Sequence, residues 1–492
     1  MDELPPDINV ITLNCWGLKY ISKLRSERFP EIGRRIASAN PQPHIVALQE
    51  IFCQEDYLTI RRETRFVLPY GKFYHNGAFG AGLAILSKWP IEESTMFSYP
   101  LNGRPTAFWR GDWYVGKGVA CAKIRFGPRR RDVVEVFNTH FHAQYSSDQA
   151  NTYACHIASQ AWNIAKLMRG AAERGHVVLG LGDFNMLPLS LPHRIITAHA
   201  PVRDAWRVLH PESSLGPADH APERNRRRPI PTADLNVKEN GATSDNVSNT
   251  WRWSPNQKRL LAQGVDHATI VPHDSIDKPG KRLDYIFAGT GDVAASDGAG
   301  WVVRDIRVGM MDPHPTARCS VSDHYSVEAS HGTFQPLLRP GPAEIHWLHH
   351  RLDQRHLPPH SIPHRHRALR PLDRPAPLRS PLPRRREPLL HGHRFWRSVH
   401  FFVGVAVFIG CAVAVAFSPH PAVSSVLVLV GGLLLVTGTV DGLIALLFMG
   451  WELRALKEFE WEVMNAKCGG DFTLDAMAGT GSESEKLATL AR

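Results

Sequence analysis

Asn14, Glu50, His140, Asp183, Asn185, Asp323 and His324 share one setting: each closes, or closely follows, an apolar strand-like run. Their strings are Thr-Leu-Asn-Cys-Trp, Ala-Leu-Gln-Glu, Asn-Thr-His, Gly-Asp-Phe-Asn and Ser-Asp-His. Hard oxygen donors beside two imidazoles suit metal-assisted attack on phosphorus. A magnesium ion takes one or two carboxylates and keeps several waters. Two histidines can divide the proton work, one taking a proton from water and one giving a proton to the leaving alkoxide. Singly these strings are common, and a lone buried histidine is usually structural, so the inference rests on the whole set.

Such groups meet only if the strands stack so that their ends share one mouth. Residues 8–14, 45–49, 82–87, 118–126, 133–139 and 177–182 read as strands bounded by Gly, Pro or polar residues. Later strands are expected over 283–287, 302–308 and 324–329. Residues 149–169 carry helical spacing (Ala154, Ile157, Ala158, Ala161, Ile164, Ala165, Met168) and stop at Gly170. Residues 211–250 are polar and Pro-rich, more loop or insertion than core.

In this order and at these strand ends, the residues of 1–335 resemble the DNase I-like endonuclease/exonuclease/phosphatase superfamily. Within it the chain is most similar to the neutral sphingomyelinases and the fungal inositol phosphosphingolipid phospholipases C. The strings that carry the likeness are Leu-Asn-Cys-Trp-Gly at 13–17, Gly-Asp-Trp-Tyr-Val-Gly-Lys-Gly at 111–118 and Thr-His-Phe-His-Ala at 139–143. The resemblance implies an α/β fold: a DNase I-like four-layer α/β sandwich followed by a two-helix transmembrane hairpin. It also implies roles. Glu50 is the main Mg²⁺ ligand, assisted by Asn14. Asp183 and Asn185 position the phosphate and the attacking water. His324 is the general base, oriented by Asp323, and His140 protonates the departing ceramide oxygen or stabilises the phosphorane. Two titrating histidines in one site would have coupled apparent pKa values.

Other residues carry weaker expectations. On a strand His140 and His142 would share a face; the motif favours His140, leaving His142 as a wall residue in contact with substrate or as a residue supporting the site from behind. The string 111–118 is not a nucleotide-binding GxxxxGK[ST] loop, because Gly118 stands where Ser or Thr belongs. By resemblance Asp112 and Lys117 matter for activity through a headgroup or an anionic lipid; otherwise they form a hairpin turn with a solvated lysine. Thr250-Trp251-Arg252-Trp253 and Lys281-Arg282-Leu283-Asp284-Tyr285 also fit the superfamily, with Asp284 and Tyr285 supporting the site wall and Asn249 and Arg282 structural. Trp109, Trp113 and Tyr114 belong either to the lipid interface or to the core.

Composition separates the rest of the chain. Of the 492 residues 43% are apolar and 21% charged, enough for a real core and for more than one domain. Seven cysteines without a CxxC pair argue against a disulfide scaffold and a thiolate zinc site. The N-terminus lacks the features of a secretory signal peptide. The net charge of +10 is concentrated: residues 346–397 hold twelve Arg and nine His against three acids, and residues 1–345 net only +5. A duplex-binding enzyme would carry its positive charge on the folded domain, so no nucleic-acid partner is expected.

Residues 336–397 read as a basic tether, with anionic phospholipids as possible activators; the same Pro/His/Arg tract over 340–393 is also what a gene-model error would produce. Two uncharged 19-residue runs follow, 399–417 and 422–440, with apolar residues resuming over 443–449. They are read as two membrane helices within 398–450, joined by Ser-Pro-His-Pro, with Trp396 and Trp451 at the interfaces. Asp441 is read first as marking the end of the second helix, the alternative being a polar contact to the partner helix or to a lipid headgroup. Arg384, Arg385, Arg386, Arg394 and Arg397 before the first span place the catalytic domain and the tail 451–492 in the cytosol; they do not name the organelle, for which an endoplasmic reticulum or mitochondrial membrane is compatible. The expected activity is Mg²⁺-dependent phospholipase C cleavage of sphingophospholipids. A nuclease or phosphoinositide phosphatase of the same superfamily is the alternative, although the latter's Trp-Cys-Asp-Arg string is replaced by Leu-Asp-Tyr at 283–285. A dead scaffold would lack Glu50, Asp183 or His324, and all three are present.

Overall fold

The computed structural model of the chain describes residues 4–104, 107, 110–129, 131–145, 153–290, 300–334, 382–460 and 462–463. Trp109 and most of the tract 340–393 lie outside the described residues. Two compact units are present, one holding most of residues 1–373 and one holding residues 374–492.

The first unit is built on two six-stranded mixed sheets. In chain order the strands are β1 (Asp7–Asn14), β2 (Ile45–Gln49), β3 (Tyr70–Tyr74), β4 (Leu83–Ser87), β5 (Ile91–Ser98), β6 (Gly118–Arg125), β7 (Val133–His140), β8 (Val177–Asp183), β9 (Arg203–Asp204), β10 (Asp284–Gly289), β11 (Gly300–Gly309) and β12 (Ser326–Phe334). One sheet runs β11-β12-β1-β2-β4-β3 and the other β5-β6-β7-β8-β10-β9. Strand alternation explains the layers. On β1 and β2, Ile8, Val10, Ile45 and Ala47 pack between the sheets with Ala120, Ala122, Val134, Val136, Leu179 and Leu181. The intervening Ile11, Leu13, Val46 and Leu48 face outward, onto Phe29, Ile32 and Ile36 of helix Arg25–Ala37 and Ile60 of helix Gln54–Thr64. This is the expected DNase I-like α/β sandwich.

Several boundaries differ from the sequence reading. The helix expected over 149–169 is described from Ala154 and runs on to Glu173. The segment 211–250 is not plain loop: it holds the short helices Ala221–Arg224 and Ala233–Lys238, each with Asp or Glu in its first turn. The last strand starts at Ser326 rather than at His324, which leaves Asp323 and His324 in the bend before it.

The C-terminal unit is a helical hairpin. Its first helix runs Leu382–Phe417, so the end of the stretch read as tether is helical. The second runs Pro421–Leu443 and continues through a π-helical turn, Ile444–Phe448, to Glu460. Both are long and apolar enough to cross a membrane, and little of their most apolar stretches is buried within the fold, unlike the core helices of a soluble bundle. Asp441 does not mark a helix end. Its carboxylate accepts from Arg397 and from His400 Nδ1, the latter at 2.7 Å, so a charge set within an apolar helix is neutralised by the facing helix. Gly438 lies against the backbone of His400, Phe401 and Gly404, the close approach that small residues allow between membrane helices.

Candidate active site

Parallel pairing of β1 with β2 and of β7 with β8 brings Asn14, Glu50, His140 and Asp183 to one end of the sandwich. His140 and Asp183 stand opposite each other in register. That register depends on Gly182, whose φ of +137° and contact with the Thr139 carbonyl leave no room for a Cβ. Glu50 leaves β2 with φ +56°, a left-handed conformation rare for a non-glycine residue and typical of functional turns.

Asn14 Nδ2 donates to Glu50 Oε1 and to Asp183 Oδ2, both at 3.0 Å. Its own oxygen accepts from Trp16 N at 3.0 Å. Asn14 therefore fixes the two carboxylates, and its oxygen is not turned toward a cation beside them, as the metal-ligand expectation required. His140 Nε2 lies 3.6 Å from Asp183 Oδ2 and 4.0 Å from Glu50 Oε1. Asn185 N donates to Asp183 Oδ1 at 2.9 Å, and its Nδ2 to Phe141 O at 3.0 Å.

His324 Nδ1 lies 2.8 Å from Oδ2 of Asp284, a fully buried residue that opens β10 opposite Asp183. Asp284, not the sequence neighbour Asp323, orients this imidazole. Asp323 accepts instead from Ser322 Oγ at 3.4 Å, and among the described residues no hydrogen bond joins it to the ring of His324. Asp183, Asp284 and His324 offer ligand atoms within 4.8 Å of one another and could hold a metal ion. Glu50 Oε2 and Asp284 Oδ1 are buried without a hydrogen-bond partner, as carboxylates awaiting a cation would be. The donor set, all oxygen and imidazole, fits a hard divalent ion.

The electrostatics agree. Burial, then Asp323, pushes the Glu50 carboxyl up to about 7. Burial, then Asp284, pushes Asp183 up to about 6. Burial disfavours the charged form of His324, yet Asp284, Asp183 and Asp323 outweigh it and raise the imidazole well above its ordinary range. Burial, then Lys117, keeps His140 neutral, so in this state it can donate a hydrogen bond but not act as an acid. A bound cation opposes the carboxylates that hold the proton on His324.

One expected outcome follows. Between the unfolded value near 4.5 and the folded value of about 7, the folded state holds a proton on Glu50 that the unfolded chain has lost. A cation must displace that proton, so it binds more tightly as pH rises. The rise in thermal midpoint on adding Mg²⁺ to the detergent-solubilised chain is expected to grow between about pH 5.5 and about pH 8. His44 and His331, both lowered to about 4 by burial, titrate with the opposite sign, so the increment and not the absolute midpoint is the readout. An increment independent of pH would refute protonation of the cation site.

Asp112 and Lys117 are not at a solvated turn. They form a buried ion pair, Nζ to Oδ1 3.2 Å, and Lys117 Nζ also donates to Phe141 O at 2.7 Å, the carbonyl shared with Asn185. A surface headgroup contact is therefore replaced by support of the 140–142 turn from behind. His142 does not share a strand face with His140, because β7 ends at His140. His142 turns away, with Nε2 3.6 Å from Asp112 Oδ2 and its ring stacked on Tyr153 at 3.7 Å. Arg282 makes a buried bidentate pair with Asp204 at 3.0 and 2.9 Å, and Asn249 caps the turn Thr250–Arg252 and donates to Ser322 O; both are structural.

Two contributors escaped the sequence reading. Asn138 bridges the sheets, accepting from Gln49 at 2.7 Å and donating to Leu48 O and Ala84 O. Fully buried Arg28 donates to Cys15 O, Trp16 O and Val321 O at 2.7–2.9 Å, tying the turn after Asn14 to the turn before Asp323. Its signal was its place on the apolar stripe of its helix with Phe29, Ile32 and Ile36.

Residues 11–324 match the Endonuclease/Exonuclease/phosphatase family. The chain belongs to that family. Inositol phosphosphingolipids phospholipase C of Schizosaccharomyces pombe is 36% identical over 470 residues, covering 94% of this chain and 95% of the relative. The protein of that name from Saccharomyces cerevisiae is 30% identical over 488 residues, covering 94% and 90%. Sphingomyelin phosphodiesterase 2 of Mus musculus is 32% identical over 199 residues, covering 40% of this chain and 46% of the relative. The fungal likeness spans 94% of the chain and extends through the apolar hairpin.

Proposed function

We propose that this protein is a membrane-anchored, Mg²⁺-dependent phospholipase C that cleaves sphingophospholipids, inositol phosphosphingolipids and/or sphingomyelin, to ceramide and a phosphorylated headgroup. The observation that carries this reading is the 36% identity sustained over 94% of the chain to an inositol phosphosphingolipid phospholipase C, catalytic unit and hairpin together. Glu50 and Asp183 would hold the ion, with Asn14 fixing both carboxylates. When bound, the ion neutralises phosphate charge.

The chain's own groups do the rest. His324, held by Asp284, takes a proton from the attacking water. Asp183 and Asn185 position phosphate and water. His140, neutral, donates to the phosphorane and the leaving oxygen. The new bond joins water oxygen to phosphorus, the bond from phosphorus to the ceramide oxygen breaks, the departing alkoxide takes a proton from solvent, and the proton held by His324 returns to solvent. Asp112, Lys117 and His142 serve from behind as supports of the 140–142 turn.

The hairpin fits a substrate confined to a leaflet, where tethering converts capture into a local encounter. We place the catalytic unit and the tail in the cytosol on the arginines before the first span, at an endoplasmic reticulum or mitochondrial membrane, with anionic phospholipids as activators. The near-neutral catalytic region, net +5 over residues 1–345, disfavours the nuclease alternative. The test is a lipid panel with the purified full chain. Ceramide release from inositol phosphosphingolipid or sphingomyelin is expected with Mg²⁺ and not with chelator; release from neither, with plasmid nicking instead, would reverse the reading.

A further inference from the structure

Six residues beyond Asn14 the chain reaches Tyr20, the most exposed large apolar side chain among the described residues of the catalytic unit at 92%; Ile21 beside it is 67% exposed. Single exposed apolar residues are ordinary. This one belongs to a pattern. Lys19-Tyr20-Ile21-Ser22-Lys23-Leu24 alternates apolar residues with two exposed lysines, the composition of an interfacial anchor in which rings enter the headgroup layer and ammonium groups meet lipid phosphates.

The tip is also held out by design of its base. Arg28 Nε donates to Lys23 O at 2.8 Å, and its other nitrogens hold Cys15 O and Trp16 O, so both feet of the loop are pinned to one buried guanidinium. Arg25, ion-paired with Asp56, donates to Lys19 O at 3.1 Å. Ser22 Oγ and Ile21 N close a turn on Leu18 O. A clamped loop with an unpacked aromatic tip is not a fraying end. It springs from the strand end that carries Asn14, and six residues reach at most about 20 Å.

We propose that Lys19–Leu24 is the loop through which the catalytic unit rests on a lipid bilayer, Tyr20 and Ile21 entering the boundary of headgroups and acyl chains and Lys19 and Lys23 meeting anionic lipid. The proposal rests on the sphingophospholipid reading, and two observations choose the bilayer as occupant. The same chain carries two membrane-spanning helices, and the loop's only charges are positive. The end of the sheet opposite the site supplies a control: Phe66, 84% exposed, precedes β3, which runs parallel to β2.

The experiment uses the full chain reconstituted in phosphatidylcholine–phosphatidylserine vesicles. The double variant Tyr20→Ser, Ile21→Ser is expected to lose about tenfold in turnover of vesicle-borne substrate, the scale of two apolar side chains withdrawn from lipid. Its turnover of a short-chain sphingophospholipid below the micellar concentration, in detergent, is expected to stay within about twofold of wild type. Tyr20→p-benzoylphenylalanine is expected to photolabel lipid, and Phe66→p-benzoylphenylalanine is not. Equal loss on both substrates, no loss on vesicles, or labelling of protein rather than lipid at position 20 would overturn the loop's role. A wild type that cleaves neither substrate would sink the activity, while lipid labelling would still decide the docking.

Discussion

Replacing Asp284 with Asn is expected to lower kcat by about three to four orders of magnitude, as large a loss as His324→Ala, with KM little changed. The carboxylate 2.8 Å from Nδ1 fixes the tautomer that leaves the other ring nitrogen to take water's proton, and it stabilises the imidazolium that results. An amide of the same shape donates as readily as it accepts and carries no charge. The acidic limb of the pH–rate profile should move as well. Asp284 is a leading cause of His324's raised proton affinity, so in Asp284→Asn that affinity falls and the limb assigned to it shifts to lower pH. The pair Asp284→Asn, His324→Ala should lose no more than either alone, since both act through one proton transfer. If Asp323→Asn proves the more damaging change and moves the limb while Asp284→Asn does not, the assignment of the orienting carboxylate is wrong.

That assignment marks where sequence stops being informative. Asn14, Glu50, His140 and Asp183 were legible because period-two apolar runs end in them, and parallel pairing of such runs forces their ends together. The sandwich itself was legible for the same reason. Side-chain direction within a bend is not periodic, so nothing in the sequence could test the role that the resemblance gave Asp323 as the partner of His324, and Asp284 looked like wall. Lys117 between two glycines was read as a headgroup or anionic-lipid contact or else a solvated turn; its burial follows from a partner, Asp112, and from a carbonyl, Phe141, that only the folded chain brings to it. Asp441 was misread for a related reason. A carboxylate near a helix end is the ordinary case, and only the facing helix, with Arg397 and His400, makes mid-helix the better place.

The catalytic unit thus keeps charge in its interior at two kinds of site. Asp204 with Arg282, and Asp112 with Lys117, are paired ions whose partners satisfy them. Asp112 is lowered despite burial because Lys117 and His142 face it. Glu50 and Asp183 are raised because burial, with Asp323 acting on the first and Asp284 on the second, outweighs the cations near them. The first kind positions; the second is left uncompensated for an ion to complete.

Glu50→Gln separates the two properties that this arrangement couples, and it is expected to abolish turnover, by about a thousandfold or more, while stabilising the metal-free protein. The amide oxygen of Gln preserves the bond from Asn14 Nδ2, so the change removes charge with little change of shape. At pH 8 the wild-type carboxyl, with a folded value of about 7, must be ionised inside the protein with Oε2 unpartnered. A neutral amide there escapes most of that desolvation penalty, because burying an unpaired dipole costs less than burying an unpaired charge. The thermal midpoint in chelator is therefore expected to rise by about 2–4 °C, roughly 1 kcal/mol for a domain of this size. The same variant should show no further rise on adding Mg²⁺, whereas wild type does. Retained turnover, or an undiminished Mg²⁺ response, would mean that the ion sits with Asp183, Asp284 and His324 alone and that Glu50 has another task. A lower midpoint in chelator would mean that its buried charge is compensated within the protein.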